Sequence, residues 1–310
     1  MNGIVEIVEV GPRDGLQSQP RLLDTATKLE FIARLVGAGI RRMEVVSFVH
    51  PEKVPQMADA EAVVQGLPRR DDVTFIGLVL NRKGLDRARK SGMKEVNCVV
   101  AASDEFGLRN QGANTLQTLE AAREIAAGAR ASGIACGVTI SVAFGCPFEG
   151  EIPIARVVDS AGKLAEMGFG EIALADTIGA AGPSDVAAVI RAVRGVTGNI
   201  RLRGHFHNTR NTGVANAYAA LLEGVRVLDA SCGGVGGCPF APAATGNVAT
   251  EDVLYMVNRM GLKSGIDISE VMATARWLGG KLETSMPSMV TRAGLFPPPG
   301  AGYDAAQERH

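Results

Sequence analysis

Two histidines separated by one residue, His205 and His207, lie in the run Ile200-Arg-Leu-Arg-Gly-His205-Phe-His207-Asn208. The run reads as a β-strand, and strand side chains alternate between faces. Both imidazoles therefore point to one side with Cα atoms roughly 7 Å apart, a spacing at which two rings can grip one metal ion. On spacing alone, a pair of core or surface histidines is an equal alternative. The chain has only four histidines, and two of them are here. Further polar residues accompany the pair: Arg13-Asp14 after Gly11-Pro12, Glu44, Asp176, Cys238 and Asn247. Two imidazoles, the Asp14 carboxylate and the Asn247 amide oxygen make a mixed N/O donor set without thiolate. Such a set suits Mg²⁺ or Mn²⁺ with open positions better than a closed structural zinc site, although Zn²⁺ or Co²⁺ also fits it. Cys238 lies in Cys232-Gly-Gly-Val-Gly-Gly-Cys238-Pro, a segment too glycine-rich to hold a firm shape. A thiol on such a loop is suited to proton transfer when the loop closes. Those glycines match neither phosphate-binding fingerprint.

The elements that must position these groups alternate regularly. Strand-like runs cover 4–10, 42–48, 73–80, 95–101, 135–143, 171–176, 200–207 and 226–232. Helix-like segments fall around 25–37, 57–66, 82–91, 114–132, 153–167, 184–194, 213–223 and 249–260. Eight strand-then-helix units predict parallel strands joined by crossover helices, and eight nearly even units favour a closed (β/α)8 TIM barrel over an open sheet. The expected organisation is a barrel over 1–262, a small C-terminal helical extension over 263–295 and a flexible tail over 296–310. In such a barrel chemistry sits at the C-terminal strand ends. Arg13-Asp14, Glu44, Asp176, the histidine pair, Cys238 and Asn247 all map there. Taken singly, each has a bland alternative: a surface turn for Arg13-Asp14, an arginine-paired carboxylate for Glu44, a turn cap for Asp176, a small buried hydrophobe for Cys238. Their convergence on one rim is harder to explain structurally, because clustered unpaired polar groups are costly to bury.

Composition narrows the function. With 310 residues and 46% apolar content the chain can bury one large core, and a barrel commonly uses about 250 residues. A formal charge of −1 and few aromatics give no footprint for nucleic acid. No apolar run approaches the roughly 18 residues of a membrane span, and no basic segment precedes the first strand as in a signal peptide. Five cysteines without paired spacing point to reduced thiols and a cytoplasmic protein.

Val10-Gly-Pro-Arg13-Asp14-Gly-Leu-Gln17, Val54-Pro-Gln-Met57, Asp176-Thr-Ile-Gly179, His205-Phe-His207 and Gly233-Gly-Val-Gly-Gly-Cys238-Pro together resemble the motifs of the 3-hydroxy-3-methylglutaryl-CoA lyases. These belong to the DRE-TIM metallolyases, divalent-metal barrels that make or break C–C bonds beside a carbonyl. The likeness is collinear from Val5 to Met260. It implies metal binding by Asp14, His205, His207 and Asn247, and catalysis by Arg13 and Cys238. Glu44 and Asp176 would support the proton work, and Arg13, Gln17 and Asn110 would contact an acyl-CoA substrate. It also implies a homodimer or higher homo-oligomer. Three departures stand out. Asn208 replaces the usual aspartate after the second histidine. Lys53 stands where a tryptophan often precedes Val-Pro-Gln-Met, and Asn114 replaces a serine beyond strand four. The last two are expected near the substrate entrance.

The implied reaction is a retro-aldol cleavage, giving acetyl-CoA and acetoacetate from 3-hydroxy-3-methylglutaryl-CoA. Three alternatives remain. The substrate could be a related 3-hydroxyacyl-CoA, such as isohexenylglutaryl-CoA or citramalyl-CoA. A Claisen-type synthase runs in the bond-making direction, but Leu16 stands where such synthases usually carry glutamate. A non-catalytic ligand-binding barrel would need neither Arg13 nor Cys238.

Overall fold

The computed structural model describes residues 3–238 and 241–298, with backbone only for 238 and 241–245. Strands β1 (Glu6–Glu9), β2 (Arg42–Ser47), β3 (Thr74–Leu78), β4 (Glu95–Ala101), β5 (Ala135–Ser141), β6 (Glu171–Asp176), β7 (Arg201–Phe206) and β8 (Val227–Ala230) form a closed parallel barrel. β1 closes it by pairing with both β2 and β8. The helices between strands are α1 (Thr25–Gly37), α2 (Ala60–Gly66), α3 (Arg82–Lys90), α4 (Asp104–Gln111) and α5 (Thr115–Ala131). They continue with α6 (Ile154–Glu166), α7 (Pro183–Thr197) and α8 (Gly213–Leu222). After β8 a hairpin of β9 (Gly237–Cys238) and β10 (Ala241–Thr245) precedes α9 (Thr250–Arg259), α10 (Ile268–Leu282) and α11 (Met289–Ala293). This is the (β/α)8 barrel that the rhythm of the sequence predicts.

Strands covered on both faces read as apolar runs, and β2, β6 and β8 are buried along their whole length. Helix starts follow cap chemistry. Asp24 accepts from the Thr27 N–H at 2.7 Å, and Asn81 from Gly84 at 3.0 Å. Asn114 starts α5 with a reciprocal box, accepting from Gln117 N–H while Gln117 accepts from its own, both at 2.9 Å. Asn114 thus sits where a helix needs a cap, a task serine performs equally well. That contact accounts for the residue.

α10 lies against α1, with the Trp277 ring tilted 30° to Phe31 at 6.3 Å between centroids and under the Arg34 guanidinium. α11 is tied to α9 through Thr291, which donates to Glu251 at 2.7 Å. Glu251 in turn accepts from the Gly233 N–H at 2.9 Å. The C-terminal helices therefore brace the glycine-rich turn after β8 that leads to the rim. Residues 299–310, most of the predicted tail, lie outside the described residues. No helix among the described residues is long and apolar enough to cross a membrane.

Candidate active site

Immediately after β1 the chain makes one wide turn over Gly11–Gly15, in which the Val10 carbonyl accepts from the N–H groups of Arg13, Asp14 and Gly15. Wide turns of this kind recur at functional sites. This one delivers Arg13 and Asp14 to the C-terminal mouth of the barrel. Across the mouth, the His205 and His207 ring centroids are 5.2 Å apart. One ligand atom each from Asp14, His205 and His207 lies within 4.8 Å of the others. The donor chemistry fits a divalent cation. Asp229 on β8 faces His205 in register and holds its Nδ1 at 3.0 Å, which fixes the tautomer and leaves Nε2 for a ligand bond. His207 is buried, and its Nδ1 has no partner among the described residues, a costly arrangement unless something else binds there.

Charge placement agrees. Burial opposes ionisation of Asp14, but Arg13, then His205 and His207, hold its carboxyl well below the usual range. Burial and the neighbouring His205 push His207 down to about 3, which keeps its imidazole neutral as coordination requires. Burial likewise opposes the charge on His205, yet Asp229 and Asp14 raise it above its ordinary value. The Arg13 guanidinium is fixed by Glu44 and by Asp14, the latter at 2.7 Å. Its burial is outweighed by those two carboxylates, and its charge is permanent.

The residues picked out in the sequence divide into groups. Arg13, Asp14, Gln17, Glu44, Asn110, His205 and His207 line one cavity of about 1190 Å³ at the mouth. Asn247 stands beside Asp14, with Nδ2 donating to Asp14 at 2.8 Å. The amide nitrogen therefore faces the cluster, and a half-turn of the amide would present the oxygen that the sequence suggested as a ligand. Gly236 makes that approach possible: φ is +143°, and a Cβ there would lie 2.7 Å from Asn247 Nδ2. Asp176 is not brought to the cavity. Ala175 and Thr177 line it, while the Asp176 carboxylate, 1% exposed, accepts from the N–H groups of Ala180 and Ala181 at 2.8 and 3.1 Å. That is the turn-cap arrangement. The backbone of Cys238 lies on β9 beside Gly237, which lines the cavity, and its side chain lies outside the described residues. Lys53 does line the cavity. Asn208 accepts from Gly213 N–H at 3.0 Å at the start of α8, away from His207.

Sequence reasoning did not find Asp229 or Glu9. Asp229 is a lone acid in an otherwise apolar buried strand, a signal that was available. Glu9, 0% exposed, accepts from Gly11, Cys232 and Thr250 at 2.7–2.9 Å and so joins the first turn to the turn after β8.

Fold and rim together define an α/β barrel with a candidate divalent-metal centre over its C-terminal mouth. The chain belongs to the HMGL-like family, whose profile matches residues 4–278. It is 42% identical over 300 residues to an (R)-citramalyl-CoA lyase of Chloroflexus aurantiacus, covering 94% of this chain and 95% of that protein. It is 39% identical over 289 residues to a 3-hydroxy-3-isohexenylglutaryl-CoA/hydroxymethylglutaryl-CoA lyase of Pseudomonas aeruginosa, covering 93% and 96%. Among solved structures, an HMG-CoA lyase of Acinetobacter baumannii in complex with coenzyme A and 3-methylmalate superposes with a TM-score of 0.90. The two chains are 36% identical, with 95% of this chain and 96% of that one covered.

Proposed function

We propose that the protein is a divalent-metal-dependent carbon–carbon lyase that cleaves 3-hydroxy-3-methylglutaryl-CoA to acetyl-CoA and acetoacetate. The observation that carries this reading is the Asp14, His205 and His207 cluster with Arg13 beside it on a single large cavity. Asp14, His205, His207 and a turned Asn247 would hold Mg²⁺ or Mn²⁺. The bound ion would supply Lewis acidity toward the 3-hydroxyl and a carbonyl oxygen of the substrate. Arg13, its plane fixed by Glu44 and Asp14, keeps N–H donors for the thioester oxygen as it gains enolate charge. As the C2–C3 bond breaks, its electron pair passes into that enolate and the 3-hydroxyl becomes a ketone. Glu44, which lines the cavity where Asp176 does not, is assigned the hydroxyl proton, directly or through one water. Cys238 would return a proton to the enolate carbon. The cavity exceeds the roughly 300–1,000 Å³ of ordinary small-molecule sites, and Lys53, Lys83 and Arg87 line it. That basic wall suits the phosphates of a CoA arm. A cytoplasmic homo-oligomer remains our proposal.

A second reading is cleavage of the one-carbon-shorter citramalyl-CoA to acetyl-CoA and pyruvate. It is favoured by the 42% identity to a citramalyl-CoA lyase. Incubation with Mg²⁺ and each acyl-CoA, scoring acetoacetate and pyruvate separately, tests both. Acetoacetate from the six-carbon acyl group is the expected result, and pyruvate alone from the shorter one would replace it. Free CoA appearing only from acetyl-CoA plus a 2-oxo acid would turn the reading to a synthase.

A further inference from the structure

The Val54-Pro-Gln-Met57 motif takes no part in the chemistry described so far, yet it stands on the cavity wall. Between β2 and α2 the chain crosses the rim as a loop over 49–56, in which Pro51, Lys53, Val54 and Gln56 line the cavity. Its internal pairing is slight. The Lys53 and Val54 N–H groups donate to the His50 carbonyl at 2.9 and 3.3 Å, and one tight turn follows over Pro55–Met57. What fixes the loop lies outside it. At the near end Arg87 of α3 donates to the Val49 carbonyl at 2.9 Å while paired with Glu61. At the far end Lys28 of α1 donates to the Gln56 carbonyl at 2.6 Å while paired with Asp59 at 2.5 Å. The Gln56 side chain then donates to the Gln19 carbonyl at 2.8 Å, just beyond the turn that carries Arg13 and Asp14. Two cations from neighbouring helices thus hold the loop by its carbonyls.

Of the two, Arg87 lines the cavity, whereas Lys28 and Asp59 do not. Lys28 is 6% exposed, and an ammonium is costly to bury for packing alone. An apolar side chain could fill the same space, but only a donor can hold a main-chain carbonyl there. Asp59 precedes α2 without capping it. Its carboxylate serves the ammonium and the Thr25 hydroxyl, which donates to it at 2.7 Å.

We propose that Lys28 is a positioning residue: from behind the cavity wall it presets the loop over 49–56 as the surface against which an acyl-CoA is bound. It touches no substrate itself. The inference rests on the acyl-CoA reading above and assigns part of the affinity to a residue outside the cavity.

The test separates positioning from stability. Lys28→Met removes the donor at similar length, but it leaves Asp59 without its cation and should lower Tm. Lys28→Met combined with Asp59→Leu replaces the pair by apolar side chains, an exchange that is often neutral or stabilising. The Gln56 carbonyl is still unheld in that double variant. Both variants should weaken coenzyme A binding, measured by calorimetry, by roughly three- to tenfold, the scale of ordering one or two more side chains on binding. KM for 3-hydroxy-3-methylglutaryl-CoA should rise in step, with kcat within about twofold, because binding lost equally in ground and transition states leaves kcat unchanged. Amide hydrogen exchange over 50–57 should quicken in both, and the double variant should regain Tm without regaining affinity. Affinity that returns together with Tm would make the pair structural only and overturn the proposal, as would unchanged affinity or unchanged exchange in both variants. Should the wild-type protein bind coenzyme A but cleave neither acyl-CoA, the lyase reading falls, while affinity and exchange still decide the role of Lys28.

Discussion

At the N-terminal face of the barrel Arg42 is held by Glu6, Glu95 and Glu171, and Arg201 and Arg203 complete the ring on Glu171. At the C-terminal rim Arg13, Asp14 and Glu44 are also paired, but His207 Nδ1 and Gln17 Oε1 are buried with no hydrogen-bond partner among the described residues, and the group borders a cavity. Both ends place charge inside a closed sheet. Burial raises the cost of every charge, and the two ends meet it differently. The lower network is centred on paired charges: the carboxylates around Arg42 outweigh its burial and hold its charge firmly. Against its burial, Arg203 and then Arg42 hold Glu171 below the usual carboxylate range, and Arg203 continues upward to Asp229 at 3.4 Å. The upper network is completed only by something that enters from outside. In a barrel lumen, unfinished polar pairing marks the working end more surely than the number of charged residues does.

The comparison breaks first at the rim. His207→Ala should empty the metal site, read as metal content after gel filtration, and abolish turnover with it. Metal retained at the wild-type level would show that the cluster is a buried structural group. Arg13→Met should lower turnover by about 10²-fold or more, the scale of a lost oxyanion donor, with metal content nearly unchanged because a guanidinium is not a ligand. Near-normal turnover would move enolate stabilisation to another residue.

The lower network should respond in the opposite sense. Arg42→Met leaves Glu95 without its cation and Glu171 with only Arg201 and Arg203, and breaking a buried pair in this way typically costs about 3–5 kcal/mol. Denaturant titration should show it as a lower midpoint, while kcat/KM of the folded protein stays within a few-fold. If turnover falls as steeply as for Arg13→Met, the two ends do not differ in the way described.

Much of this arrangement was legible in the sequence because period and strand-end position are local properties. β4 and β6 coincide with the expected spans at both ends, and the histidine pair, Asp14, Glu44 and Arg13 converge as their positions implied. The misses share a cause, which is that facing depends on neighbours in the barrel. Asp176 ends β6 as plausibly as any rim residue. Ala175, however, pairs in register with His205, so Ala175 takes the lumen face and Asp176 the other. Asp229 became the partner of His205 only through the register of β8 on β7. α4 was missed for a different reason: Asp104–Gln111 carries no apolar stripe, although Ser103 followed by two acids is a start signal and does cap the helix.

The smallest effect concerns Glu9, which joins the first turn to the turn after β8 at the C-terminal end and hydrogen-bonds to neither arginine cluster. Burial pushes its carboxyl up to about 7 from 4.5, against three hydrogen bonds that favour the ion. In the unfolded chain this group loses its proton near 4.5, whereas in the folded protein it keeps the proton until about 7. Below the lower value both states are protonated and the group contributes no pH dependence. Between the two values the folded state binds more protons, so stability falls as pH rises. Above 7 the full cost, up to about 3 kcal/mol, is present. Glu9→Gln removes the titration and keeps the geometry: the amide oxygen can accept from Gly11 and Cys232, and the amide nitrogen can donate to a rotated Thr250 hydroxyl. The difference in Tm, variant minus wild type, should therefore be more positive at pH 7.5 than at pH 5 by a few degrees. A difference that is flat across that interval would mean Glu9 is already ionised at pH 5, and that its three donors outweigh its burial.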